Sequence, residues 1–278
     1  PATPSQEFTF VHAVEQLSVA DLNNDGRDDA VLTRPQDAVL VALRNDGAGT
    51  LTTVDSPAHE GLGRFLVADL NGDGFVDLAI LRPLASQIDF WKGNGDGTFA
   101  QALPSTALPV GSRVVGLAGG DLLSGHFDVA VLSDTGRVGT NDVTLFLNDG
   151  AGTFTPKGPY IVRQKAHHLL ALDLVPGGGL DLLTTHRNER FVSLLRSSGG
   201  EYSFSEHETT RDPIDAVAGD VTGDGHADLI IAEDDRRAVG VLAGDGAGNF
   251  TRTQLGLATR VVFPRLVQVN GDGRLDLL

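Results

Sequence analysis

The chain has 278 residues, 41% of them hydrophobic, with 35 glycines, 12 prolines and neither cysteine nor methionine. Without cysteine there are no disulfides, thiolate metal sites or cysteine nucleophiles, and no apolar run of about 18 residues is present to cross a bilayer as a helix. The formal charge of −16, from 37 acidic against 21 basic residues with no Lys/Arg cluster, argues against a nucleic-acid partner.

The N-terminal Pro1-Ala2-Thr3-Pro4-Ser5-Gln6 lacks the charged and apolar regions of a signal peptide. With no methionine, an initiator included, the chain is expected to be a processed product or a fragment of a longer one. The first element is a β-rich run, Leu17–Asp21, which enters an acidic loop that ends in a second run, Asp29–Thr33. Ala38–Leu43 then enters a glycine turn, Asn45-Asp46-Gly47-Ala48-Gly49-Thr50-Leu51, and Thr50–Val54 leaves it. Short aliphatic and β-branched runs punctuated by Asn/Asp-Gly steps predict four strands joined by tight turns. No helical period is sustained.

This unit recurs along the chain. The loop Asp21-Leu22-Asn23-Asn24-Asp25-Gly26-Arg27-Asp28-Asp29 returns as Asp69-Leu70-Asn71-Gly72-Asp73-Gly74-Phe75-Val76-Asp77. It returns again as Asp220-Val221-Thr222-Gly223-Asp224-Gly225-His226-Ala227-Asp228 and as Gln268-Val269-Asn270-Gly271-Asp272-Gly273-Arg274-Leu275-Asp276. Weaker copies begin at Asp121 and Asp173, and the glycine turn recurs in step at Gly93–Phe99, Asn148–Phe154 and Gly244–Phe250, with a worn copy at Ser197–Tyr202. Four strands in each unit of 47–52 residues predict an all-β fold, a β-propeller of four-stranded blades forming one domain over 1–278. Five complete repeats start near 15, 63, 113, 167 and 214, and a partial sixth near 262, within a ring of six or seven blades. A linear β-solenoid would have shorter rungs.

In Asp21-x-Asn23-x-Asp25-Gly26-Arg27-x-Asp29, alternate residues offer side-chain oxygens, Gly26 permits a sharp turn, and the Arg27 carbonyl adds another donor. A hard, oxygen-only set selects calcium over zinc or copper. The loop is no EF-hand, because its twelfth position is Leu32, Ile80 or Ile231 where a bidentate Glu is needed, and strands replace the flanking helices. A single copy could be a plain turn, but three copies with an oxygen at every liganding position point to metal.

The expected ligands are Asp21, Asn23, Asp25, Arg27 and Asp29, then Asp69, Asn71, Asp73, Phe75 and Asp77, with Arg27 and Phe75 acting through their carbonyls. A third set is Asp220, Thr222, Asp224, His226 (carbonyl) and Asp228, and a weaker fourth is Gln268, Asn270, Asp272, Arg274 (carbonyl) and Asp276. The Asp121 copy is one residue short, and the Asp173 copy has Val175 and Gly177 where ligands belong, so both are expected to be metal-free. Three to four structural calcium ions are expected. Four would bring the formal −16 to about −8.

These residues and the trailing glycine turn resemble the FG-GAP/VCBS repeat, which builds the calcium-binding propeller of integrin α-subunits and of many secreted bacterial surface proteins. The resemblance runs from about Leu17 to Leu278 and implies a calcium loop between the first and second strands of each blade. The family ring commonly has seven blades, whereas the sixth repeat here stops after its second strand. Glu7–His12 could supply that blade's outer strand, and an unfinished blade would invite pairing with another chain.

No Gly-x-Ser-x-Gly, His-Glu-x-x-His or phosphate-loop motif is present. His167-His168 with His186 could form a metal or acid–base cluster, although scattered histidines are more often surface residues. Aromatics are only 6%, and Trp91, Tyr160 and Tyr202 do not follow the period, so Trp91 reads as a packing residue rather than a sugar platform. The sequence therefore predicts a secreted or cell-surface calcium-binding module, not an enzyme, that binds protein or glycan without nucleic acid or membrane insertion. The alternative is a structural subunit of a filamentous or surface assembly with strand exchange. A polysaccharide-acting enzyme or lectin is more distant.

Overall fold

The computed structural model describes residues 7–278 apart from 11, 15, 35, 37–38, 59–60, 102–104, 109–112, 210–211, 234–237, 257–263 and 270–274. Every long regular element among the described residues is a strand, and the sheets follow the repeats. The first sheet pairs Gln16–Ala20, Asp29–Thr33, Val39–Asn45 and Leu51–Pro57 in chain order. The second pairs Phe65–Ala68, Asp77–Arg82 and Gln87–Gly93, with two short outer pieces, Phe99–Ala100 and Thr106–Ala107, both on Gln87–Gly93. The third contains Arg113–Gly120, Asp128–Asp134, Thr140–Asn148 and Phe154–Arg163. The fourth contains Ala166–Leu172, Asp181–His186, Phe191–Ser198 and Glu201–Glu208, and the fifth Pro213–Gly219, Asp228–Glu233, Ala238–Gly244 and Phe250–Gly256. Leu266–Val267 and Asp276–Leu277 form a final pair, as the partial sixth repeat predicts.

The chain separates into two compact units, Pro1–Arg113 with Asn148–Thr155, and Val114–Leu147 with Pro156–Leu278. In each full sheet the second strand is buried on both faces, which is why it reads as an unbroken apolar run. Val31-Leu32, Leu78–Leu81, Val129–Leu132, Leu182-Leu183 and Leu229–Ala232 are examples. Outer strands such as Phe154–Arg163 are mostly exposed.

One repeat position shows how neighbouring sheets pack. Phe65 of the second sheet lies in a cluster with Leu22, Val31, Leu40 and Ala42 of the first repeat. Leu169 of the fourth joins Leu122, Ala130 and Leu132 of the third, and Ala216 of the fifth joins Leu183, Val192 and Leu194 of the fourth. The same position in the first sheet is Leu17, which is 51% exposed, with Val19 60% exposed on the same face. Phe8 and Phe10 pack against Leu32, Val41 and Leu43 of that sheet, and the Arg34 guanidinium stands 4.9 Å from the Phe10 ring centroid. Glu7–His12 could, on its sequence, supply an outer strand of the sixth blade. Its described residues form no strand, and its two phenylalanines serve the first sheet instead.

Candidate metal centre

An antiparallel meander places its first-to-second and third-to-fourth connections at the same end of the sheet. Each acidic loop therefore sits beside the glycine turn of its own repeat. In the first loop Asp21 Oδ1 accepts the N–H groups of Asn23 and Asp25 at 3.3 and 3.2 Å, and Oδ2 accepts Gly26 N–H at 2.8 Å. Asn23 accepts Asp25 N–H, and Asp25 accepts Arg27 N–H. The second loop repeats this: Asp69 accepts from Asn71, Gly72 and Gly74, Asn71 from Asp73, and Asp73 from Phe75. In the fifth repeat Asp220 accepts from Gly223, Asp224 and Gly225, and Asp224 from His226. Gly26, Gly74 and Gly225 have φ of +81°, +84° and +87°, where a side chain would be strained, so the loop needs glycine there.

The last aspartate of each loop has a different role from the other acids. Asp29, Asp77, Asp181 and Asp228 are buried at the start of the second strand. One oxygen of each accepts an N–H seven residues earlier, from Leu22, Leu70, Leu174 and Val221. The other accepts an N–H sixteen residues later, from Asn45, Gly93, Ser197 and Gly244, at 2.7–2.9 Å. The carboxylate thus ties the acidic loop to the start of the glycine turn. Asp181 makes both bonds although Val175 and Gly177 stand at two ligand positions of its loop, and Asp128, also buried, accepts from Leu123 and Ser124 in the shortened third loop. Asp276 accepts Val269 N–H at 2.9 Å in the sixth.

The seventh loop position makes a second tie. A Cβ built on Gly47, Gly95 or Gly246 of the glycine turn would collide with the side chain of Arg27, Phe75 or His226 respectively. These three unlike side chains all lie on a glycine of the neighbouring turn. The two sequence signatures keep step because they are in physical contact. The turns are hairpin tips as predicted: Asp46, Asp149 and Asp245 each accept N–H groups two and four residues on.

Electrostatics separates the acids in the same way. Burial pulls Asp21 upward, but the amides of Gly26, Asn23 and Asp25 outweigh it and hold its pKa below the ordinary carboxylate value. Asp220 is lowered chiefly by Gly225 N–H, and Asp73 by the Lys92 ammonium, whose Nζ is 2.7 Å from Asp73 Oδ2. Asp77 is raised, first by burial and also by the nearby charges of Asp73 and Asp69. The donors are all oxygens, they crowd one another electrostatically, and in the second loop a cationic group already rests on one of them. In kind they fit a hard divalent cation. As they stand, no three His, Asp or Glu side chains among the described residues form a group able to hold a metal ion. The loops therefore carry the donors with their oxygens turned to backbone amides. Of the sixth loop only Gln268 and Asp276 of the predicted set are described; Asn270, Asp272 and Arg274 lie outside the described residues.

The histidines do not converge. His186 is fully buried, with Nε2 between the hydroxyls of Thr184 and Ser193 and Nδ1 3.0 Å from the Gln164 carbonyl. The His167 and His168 rings stack edge to face at 5.3 Å, and His168 Nδ1 is 3.8 Å from Asp215. Trp91 is buried in the cluster with Leu22, Leu78 and Phe99, as a packing residue should be.

The FG-GAP-like repeat family matches residues 21–80 and 220–278, so the chain carries FG-GAP-like repeats over these two stretches. No curated protein sequence matches it. Among solved structures, BBS1N in complex with ARL6DN is similar, with 12% identity and a TM-score of 0.64 over 94% of this chain and 74% of that one. An Agrocybe aegerita lectin described as recognising non-reducing terminal N-acetylglucosamine has 20% identity and a TM-score of 0.57, over 88% of this chain and 67% of the lectin. A candidate 6-phosphogluconolactonase from Bacteroides fragilis NCTC 9343 has 16% identity and a TM-score of 0.61, over 90% and 70%. The successive four-stranded antiparallel sheets and these similarities define the fold as a β-propeller.

Proposed function

We propose that the chain is a calcium-binding β-propeller module that works outside the cell by holding a protein or a glycan. The observation that carries this reading is the recurrence of one oxygen-only loop, with its glycine at the sixth position, in three repeats of an FG-GAP fold. Asp21, Asn23, Asp25, Asp29 and the Arg27 carbonyl would hold one ion, and the matching residues of the second and fifth loops would hold two more. Bound calcium would neutralise carboxylates that otherwise repel, and so would stabilise the folded chain by mass action. Calcium-rich surroundings suit a loop without the twelfth ligand of an EF-hand. Similar folds include one solved with a protein partner and one described as recognising a sugar, which supports either class of ligand here.

Thermal unfolding in millimolar calcium and in chelator tests the metal. Each site filled at a hundred times its Kd adds about 2.7 kcal/mol, so the transition should fall by several degrees in chelator. The triple variant D25N/D73N/D224N should unfold alike in both. An unchanged wild-type transition refutes the proposal. Binding to a glycan array or to immobilised proteins, present in calcium and lost in chelator, tests the ligand class.

Assembly is a second reading, favoured by the exposed Leu17 and Val19 at a position buried in three other sheets. Light scattering of the purified chain distinguishes it: a defined oligomer supports assembly, and a monomer rejects it.

A further inference from the structure

Lys92 occupies a repeat position whose counterparts behave differently. Arg44 in the first sheet lies against Gly97 of the next glycine turn, and Arg196 in the fourth donates to the Ala247 carbonyl of the next turn at 2.6 Å. Lys92 instead turns back onto the acidic loop of its own repeat, placing Nζ 2.7 Å from Asp73 Oδ2. Asp73 is the fifth-position acid, central to the predicted ligand set. The Asp73 contact is the leading cause that raises the Lys92 pKa, with smaller contributions from the charges of Asp77 and Asp69. In the first loop the cation on the fifth-position acid is Arg27 of the loop itself, on Asp25 Oδ2 at 3.2 Å.

From this placement we infer that Lys92 is a tethered counter-ion that competes with the metal for the second loop. The inference rests on the calcium reading above and adds a ranking to it. In the metal-free chain the ammonium relieves repulsion among Asp69, Asp73 and Asp77. A divalent cation must displace it from Asp73 to use that oxygen. The second loop therefore binds more weakly than its ligand set alone implies, and its occupancy depends more steeply on calcium concentration.

The chain's one tryptophan makes the second loop observable. Trp91 pairs across the ladder with Leu78, next to Asp77, and precedes Lys92. Terbium, a calcium-like trivalent ion, can be sensitised by an indole this close, with excitation at the red edge of tryptophan absorption to avoid Tyr160 and Tyr202. Trp91 shares a core cluster with Leu22 of the first loop, so the titration uses a D21N/D25N background to disable that loop. In this background K92M should bind terbium about fivefold more tightly, the equivalent of an exposed ion pair of about 1 kcal/mol. K92R, which keeps the charge, should stay near the parent. In chelator K92M should melt below the parent, because the three acids are then unrelieved, and calcium should close the gap.

If parent and K92M titrate with equal affinity, Lys92 is a bystander and the inference falls while the calcium reading stands. If neither shows sensitised emission, the second loop holds no such ion, and the inference falls together with the calcium reading of that loop.

Discussion

Asp181→Ala tests whether the loop-closing aspartate serves the fold rather than a metal. The Asp181 carboxylate accepts N–H groups from Leu174 and Val175 at 3.3 and 3.1 Å through one oxygen, and from Ser197 at 2.7 Å through the other. Truncation leaves the buried Leu174 and Ser197 amides without this acceptor, at about 1–3 kcal/mol each. Removing a buried carboxylate returns part of that, since burial already pushes the Asp181 pKa upward. A net loss of about 3 kcal/mol is expected, a large share of the roughly 5–15 kcal/mol that holds a domain together. Urea unfolding followed by far-ultraviolet circular dichroism measures it, in calcium and in chelator. Because Val175 and Gly177 replace ligands in this loop, the loss should be the same in both. A loss below about 1 kcal/mol, within the range of ordinary surface changes, or one that appears only with calcium, would refute the latch.

Three further outcomes are expected. Gly93→Ala should destabilise by about 2 kcal/mol or more, because a Cβ there would land on the Val76 carbonyl oxygen, whereas Gly49→Ala has open space and pays only the left-handed φ of +89°, about 1 kcal/mol; paired urea titrations compare them. Phe65→Ala should cost about 3–5 kcal/mol and Leu17→Ala under about 1 kcal/mol, and equal costs would show that the first sheet's face is covered in solution. Acidification should lower the melting temperature as pH falls from about 6.5 to about 4. Burial, then the His168 and Arg187 charges, hold His167 down to about 4, and burial also lowers His186. The unfolded chain therefore takes up these protons first, so stability present above the unfolded pKa is lost through that window. His167→Gln should flatten the slope, and an unchanged slope would count against the assignment.

The sheet plan was legible because second strands buried on both faces carry unbroken apolar runs between two recurring turn signatures. Strand ends were read less well. The run Leu17–Asp21 overlaps the loop that starts at Asp21, and the strand itself is Gln16–Ala20, with Asp21 in the loop. The outermost strand of the first sheet runs on to Pro57, beyond the predicted Val54, where Pro57 pairs with Val39. At the site, sequence spacing placed the acids in one loop but could not separate two kinds of carboxylate. A buried aspartate that ties the loop to the glycine turn and a more exposed one within the loop have the same letter. The sequence held a partial signal: Asp181 persists although Val175 and Gly177 stand at the middle ligand positions of its loop, but Asp173 persists with it. The Lys92 contact had no such signal, since Arg44 and Arg196 at its repeat position point elsewhere.

The contact between the seventh loop residue and the hairpin glycine has a consequence for how such a chain can diversify. The turn requires an absent side chain on one partner, but it accepts guanidinium, phenyl or imidazole on the other. That residue would contribute only its carbonyl to an ion, so its side chain is released from coordination while remaining fixed in place. Each of these three repeats thus has one anchored position at its loop-bearing end whose chemistry can be exchanged without moving the backbone. A set of such positions forms a ready-made palette, on which new recognition could be written one letter at a time.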